Sequence, residues 1–236
     1  MITYPQYPHA TGSLLLALIL GFLAFQCEAA FLKSGGLEIS KEGYQLILNH
    51  EVGGGPVYYT KALQRPSYPG GASGVTIGVG YDLGYNTREQ IDADWSMLPA
   101  DTRARLKACA GVKGAAAKRL IPSVRSIIIP WDAARQVFDK NTIPRFAKIT
   151  NRSYPGTAKL HPHIQSAHLS WVFNRGGGIT SSARDLEKRL IRRDTPNSPK
   201  LLPGHYRASK RLWRGKGLDG LLRRREDEAR LIEAGL

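Results

Sequence analysis

The chain has 236 residues, 42% of them hydrophobic, and its 34 Lys and Arg against 19 Asp and Glu leave a formal net charge of +15. That hydrophobic share supports a globular protein with a real core, and two cysteines, Cys27 and Cys109, exclude a disulfide framework. The positive field favours a polyanionic partner, but basic residues interleaved with acids do not choose among nucleic acid, anionic membrane and the acidic polymers of a bacterial wall. The first 32 residues contain no Lys or Arg, and Leu14 to Phe25 is a twelve-residue apolar run broken only by Gly21. Such a run is short for a membrane span and suits a signal-peptide core, although Met1 to Ser13 lacks a positive n-region. Residues 1–34 are therefore expected to be either a cleaved export signal or a membrane anchor, and residues 35–236 one folded domain. Cys109 is expected to be a small buried residue.

Ser40 predicts the cap of a helix that runs through Tyr44, Ile47 and Leu48 to about Glu51 and stops at the glycines from 53 to 55. Residues 56–86, with Pro56, Pro66, Pro69 and several glycines around Val57-Tyr58-Tyr59, read as a small irregular β-region. From Thr87 onward the pattern is helical. Thr87-Arg88-Glu89-Gln90 fits a capping box, and Pro99, Pro122 and Pro130 punctuate the helices after it. Further helices are expected over 131–149, 162–174, 181–193 and 218–234. One helix, a small β-region and then many helices make an α+β arrangement in a single domain.

Within the β-region, Val75, Ile77, Val79 and Tyr81 alternate with Thr76, Gly78, Gly80 and Asp82. Alternate strand residues face opposite sides, so the bulky set should enter a core and leave Thr76 and Asp82 on a bare, glycine-lined face suited to a flat sugar chain. Cleaving a glycosidic bond needs a proton donor and a carboxylate on the opposite side of the sugar. Glu51, at the edge of an apolar helix, is the candidate general acid, with partial burial expected to keep its proton. Asp82 is the candidate base and Thr76 the hydroxyl that orients the water. In a straight strand, Thr76 and Asp82 would stand about 20 Å apart and could not share one water. The chemistry therefore predicts a sharp bend at Gly78 to Gly80. Spacing alone leaves plainer uses open: a solvated helix-end glutamate, a tight glycine corner, a turn-forming Asp.

The helix ending in Asn49-His50-Glu51, the segment Gly74-Val-Thr-Ile-Gly-Val-Gly-Tyr-Asp82, Phe173-Asn174-Arg175-Gly176 and the final Gly220-Leu-Leu-Arg-Arg-Arg-Glu226 resemble the phage-type lysozymes. The order Glu, Thr, Asp is similar to that of the pesticin-like muramidase branch. The resemblance implies a mostly helical lysozyme-like fold with a small β-subdomain on one side of an active-site cleft. It also implies inverting hydrolysis of the β-1,4 bond between N-acetylmuramic acid and N-acetylglucosamine, with Glu51 as acid, Asp82 as base and Thr76 holding the water. The expected partner is then peptidoglycan rather than nucleic acid, the enzyme needs no cofactor or metal, and an exported or membrane-tethered monomer is expected. Tyr81, Asn174, Arg175 and Trp213 are candidate sugar contacts. Asn174 and Gly176 also fit a helix terminus, and Trp213 also fits a core. Arg223, Arg224 and Arg225 either meet wall carboxylates, form a solvated face with Glu226, Asp227 and Glu228, or supply one arginine that braces Glu51. His161, His163 and His168 fit no standard zinc spacing. Competing functions are a lytic transglycosylase, which runs on one carboxyl group, and a non-catalytic basic protein that binds wall or nucleic acid.

Overall fold

A computed structural model describes residues 32–53, 55–178, 190 and 198–236. The apolar run Leu14 to Phe25, Cys27 and nearly all of the helix expected over 181–193 lie outside the described residues. Within them, the chain is mostly helical with two two-stranded antiparallel sheets, an α+β architecture. No helix of the described residues is long and apolar enough to cross a membrane.

The first hairpin pairs β1 (Leu32–Ser34) with β2 (Leu37–Ile39), Leu32 opposite Ile39. Helix α1 follows as Lys41–Val52, with the Ser40 hydroxyl accepting from the Gly43 N–H and Gly53 ending it at φ 71°, as the capping pattern predicts. Both β1–β2 and α1 are pinned to a central helix, α8 (Pro162–Arg175). Gln165 Oε1 accepts from the Glu38 N–H at 2.7 Å and Ser166 Oγ from the Ser40 N–H at 2.9 Å. Gly43 lets α1 approach α8 closely, because a Cβ there would stand 2.0 Å from that of Ser166.

Residues His163 to Val172 of α8 are all buried, and the helix separates two cores. Leu169 joins a large cluster built from the hairpins, α1 and the middle of the chain. Trp171 and Val172 join a second with Tyr154, Leu202, Tyr206, Ala229 and Ile232. Buried polar groups are mostly hydrogen-bonded in folded proteins, and His168 Nδ1 lies 2.6 Å from the Tyr206 hydroxyl, so that histidine ties α8 to α9 (Ser198–Ser209). Helix α10, Asp219–Glu233, packs across both.

Three local expectations are corrected. Residues 55–63 are helical, as α2 (Gly55–Tyr58) and a π-turn over Tyr59–Leu63, where a β-region was expected. Burial decides this: Tyr59 is fully enclosed, stacks near Trp131 at 5.1 Å and donates its hydroxyl to the Ile129 carbonyl, which outweighs the β propensity of two tyrosines. The helix expected over 131–149 is interrupted. It consists of α6 (Trp131–Val137), a π-turn over Phe138–Thr142 and α7 (Ile143–Ser153). Pro144 has no N–H for the carbonyl four residues back, and Ile143 instead donates to Phe138, five back. Pro122, expected between helices, sits inside α5 (Gly114–Val124). By contrast, α3 (Arg88–Asp94) starts with the complete Thr87–Gln90 capping box, and Pro99 opens α4, Ala100–Lys107.

Candidate active site on the glycine hairpin

The segment from Val75 to Asp82 is a hairpin. Strand β3 (Thr76–Ile77) pairs antiparallel with β4 (Tyr81–Asp82), and Thr76 lies directly opposite Asp82. The turn uses Gly78 at φ 58° and Gly80 at φ 67°, a left-handed backbone that glycine adopts without the Cβ penalty. The predicted bend is therefore present, and facing residues in such a pair have Cα atoms about 4.5 to 5.5 Å apart. The alternation also holds, since Val75, Ile77, Val79 and Tyr81 are all within 3% of complete burial.

Glu51 comes to this hairpin from the end of α1. A Cβ added to Gly80 would lie 3.2 Å from Glu51 Oε2 and 3.7 Å from the Phe173 ring, so the glutamate and the end of α8 both abut the turn. The other oxygen, Oε1, accepts from Arg224 Nη1 at 2.6 Å. The Glu51 side chain is 19% exposed and that of Arg224 only 4%. One arginine of the Arg223–Arg225 run thus braces Glu51, and burial is only part of its environment.

Arg224 belongs to a buried network rather than a solvated face. Its Nε and Nη2 donate to the Ser170 hydroxyl and carbonyl, each at 3.1 Å, and the Ser170 hydroxyl donates to Glu228 at 2.6 Å. Arg225 reaches Glu228 at 2.7 Å, with both side chains at 0% exposure. Burial pushes the Glu228 carboxyl above its ordinary range, against the pull of Arg225 and Arg224, and pushes Arg225 down. Beside Glu51, His50 contacts Asp227 at 3.0 Å. Burial, followed by the Arg224 charge, still holds the imidazole below its ordinary value. Asp227 is 44% exposed and its attraction is screened by solvent.

Asp82 is held by backbone. Both of its oxygens accept from the Gly74 N–H, at 3.0 and 2.9 Å, and Oδ1 also accepts from the Gly84 N–H at 2.8 Å. It is thus a turn former, capping the 3-10 turn Leu83–Tyr85. A carboxylate has about four lone-pair sites, and Oδ2 retains acceptor capacity beyond its Gly74 contact. Behind it, Asn86 donates to the Asp82 carbonyl at 2.6 Å and accepts from Arg145. Arg145 also bridges to Asp94 at 2.7 Å.

The candidate sugar contacts divide. Tyr81 is 3% exposed, its hydroxyl donates to Asp94 at 2.7 Å, and its ring meets Trp95 edge-on. It is a core residue, not a surface for sugar, because strand alternation sends it opposite to Asp82. Burial, then Asp94, raises its phenol above the ordinary range. Asn174 lies four residues after Ser170 on the α8 face that meets Arg224 and is partly exposed. Arg175 and Trp213 come together: the Arg175 guanidinium is 5.7 Å from the Trp213 ring and 4.7 Å from that of Trp171, and Arg225 lies 5.4 and 4.5 Å from the same rings. Sequence reasoning missed Ser170, Glu228, Asn86 and Arg145. A signal existed for Glu228, since Arg225, Glu228, Ala229 and Ile232 share one helical face.

Residues 46–143 match a family described as a domain of unknown function (DUF8812). That stretch is less than half of the chain. It contains Glu51, Thr76, Asp82 and Asn86, and ends before Ser170, Arg224 and Glu228. No curated protein matches the chain.

Proposed function

We propose that this chain is a peptidoglycan muramidase with a lysozyme-like fold. In this scheme Glu51 protonates the leaving glycosidic oxygen, and Asp82 and Thr76 activate a water on the other side of the sugar. The observation that carries the proposal is the hairpin register: Thr76 stands opposite Asp82, and Glu51 Oε2 lies against the turn that joins them. With Oε1 held by Arg224, Oε2 is the oxygen that carries the transferable proton. Asp82 Oδ2 and the Thr76 hydroxyl orient the water, and backbone N–H groups fix Asp82 so that it does not reorganise during the reaction. Inversion requires carboxyl groups about 6.5 to 9.5 Å apart, with room for water. The +15 charge draws the protein to an anionic wall, an attraction that salt weakens. Export, with or without a retained N-terminal tether, is part of the same proposal.

The test compares wild type, Glu51→Gln and Asp82→Asn on purified peptidoglycan, with mass analysis of the released muropeptides. Ordinary reducing ends from wild type and rates at least about a hundredfold lower in both variants support the muramidase. Anhydro-muramic ends with Asp82→Asn still active identify a lytic transglycosylase instead. Equal release from all three proteins overturns the assignment.

A further inference from the structure

Tyr85 is the most exposed aromatic side chain of the described residues, at 62%, and it is nevertheless fixed in place. Its hydroxyl donates to the Ala72 carbonyl at 3.2 Å, and the Lys113 ammonium sits 3.6 Å from its ring centroid. The ring and the Asp82 carboxylate belong to one short turn, because Asp82 caps the 3-10 turn that ends at Tyr85. Both side chains hold the same loop: Asp82 accepts from Gly74, and Tyr85 donates to Ala72, two residues earlier. The backbone alongside is open, since a Cβ added at Gly70, Gly71 or Gly111 would meet no atom within 4 Å. Lys113 is itself tied in by its neighbour, with Gly114 N–H donating to the Ser73 carbonyl at 2.8 Å.

A solvated tyrosine costs nothing to leave mobile. One that is anchored at its hydroxyl, backed by a cation and held rigid beside a carboxylate presents a preformed flat apolar face. We propose that Tyr85 and Lys113 form a sugar subsite next to Asp82. The ring stacks on one pyranose of the glycan, and the lysine pairs with a free carboxylate carried on that strand by a peptide substituent. The subsite rests on the glycan-cleaving reading and assigns it a substrate class: acidic, peptide-substituted strands over neutral ones.

The test measures binding in the Glu51→Gln background, which keeps the ligand intact. The probes are an uncharged N-acetylglucosamine hexamer and a peptidoglycan strand fragment with free stem carboxylates. Tyr85→Ala is expected to weaken both about tenfold, the equivalent of about 1.4 kcal/mol, with Tyr85→Trp restoring affinity. Lys113→Gln should weaken only the acidic fragment, about threefold, and the difference should vanish at high salt. Unchanged affinity in Tyr85→Ala, or no binding of either probe, overturns the subsite. Equal weakening of both probes by Lys113→Gln overturns the carboxylate assignment. Tyr85-dependent binding without muropeptide release by wild type sinks the hydrolase and leaves the subsite. Cleavage by wild type with no Tyr85 effect does the reverse.

Discussion

Replacing Arg224 with Met removes the cation that joins the candidate acid to the interior. Four contacts are lost: to Glu51, to the Ser170 hydroxyl, to the Ser170 carbonyl and, at 3.4 Å, to Glu228. Glu51 is 19% exposed, so water replaces part of its loss. Glu228 is fully buried and keeps Arg225 and Ser170, yet loses one of two neutralising cations. Breaking a buried pair from one side costs about 3 to 5 kcal/mol, and the larger share here belongs to Glu228. A loss of about 4 kcal/mol corresponds to a melting temperature lower by roughly 10 °C in a domain of this size. Urea unfolding followed by circular dichroism gives the value, and a double-mutant cycle apportions it. Adding Glu228→Gln should restore about 2 kcal/mol, whereas adding Glu51→Gln should restore less than about 0.5 kcal/mol. The sign with pH is also fixed. Burial raises the folded Glu228 pKa above its ordinary 4.5, so the folded variant keeps a proton that the unfolded chain has lost. The stability of Arg224→Met should therefore fall as pH rises above 4.5 and through the folded pKa. A deficit below about 1 kcal/mol, or equal recovery from both second mutations, would refute the view that Arg224 serves the buried Glu228 more than the candidate acid Glu51.

At the hairpin, Gly80→Ala should cost about 1 to 2 kcal/mol through its left-handed backbone while crowding Glu51, so muropeptide release should fall further than stability. Gly78→Ala puts a Cβ 2.8 Å from the Trp95 ring and should give the larger drop in melting temperature of the two. His50 has a lowered pKa against an ordinary 6.5, so stability present above 6.5 should be lost as pH falls toward the folded value; His50→Gln should flatten the melting curve's pH dependence there. Glu226, held down at about 2 by Lys210 and then Arg207, contributes stability that should be full above 4.5 and disappear as pH falls toward 2. An unchanged acid limb in Glu226→Gln would contradict that.

Local physics was legible in the sequence wherever neighbours in the chain decide the outcome. Ser40 and Gly53 bound α1, the Thr87–Gln90 box starts α3, and the alternation from Val75 to Tyr81 reports which side chains enter the core. Even the hairpin was accessible, because two groups about 20 Å apart on a straight strand cannot serve one water, and Gly78 and Gly80 are where the chain can turn. Tyr81 was the instructive error among the candidate contacts: alternation already assigned it inward, and its nearness to Asp82 in sequence is no guide to the direction of its side chain.

What the sequence by itself determined is the limits of α1, the start of α3, the largely helical course after Thr87 and the hairpin that brings Thr76 to Asp82. Only the tertiary structure decided that Tyr58 and Tyr59 enter helical turns against Trp131, and that Arg224 and Arg225 point inward. The run Arg223-Arg224-Arg225-Glu226-Asp227-Glu228 has the local pattern of a solvated face. The outcome depends on Ser170 and Glu51, 54 and 173 residues away. Burial of a charge is favourable only when distant partners arrive with the right geometry, and that arrival is a property of the packed fold rather than of any stretch of chain.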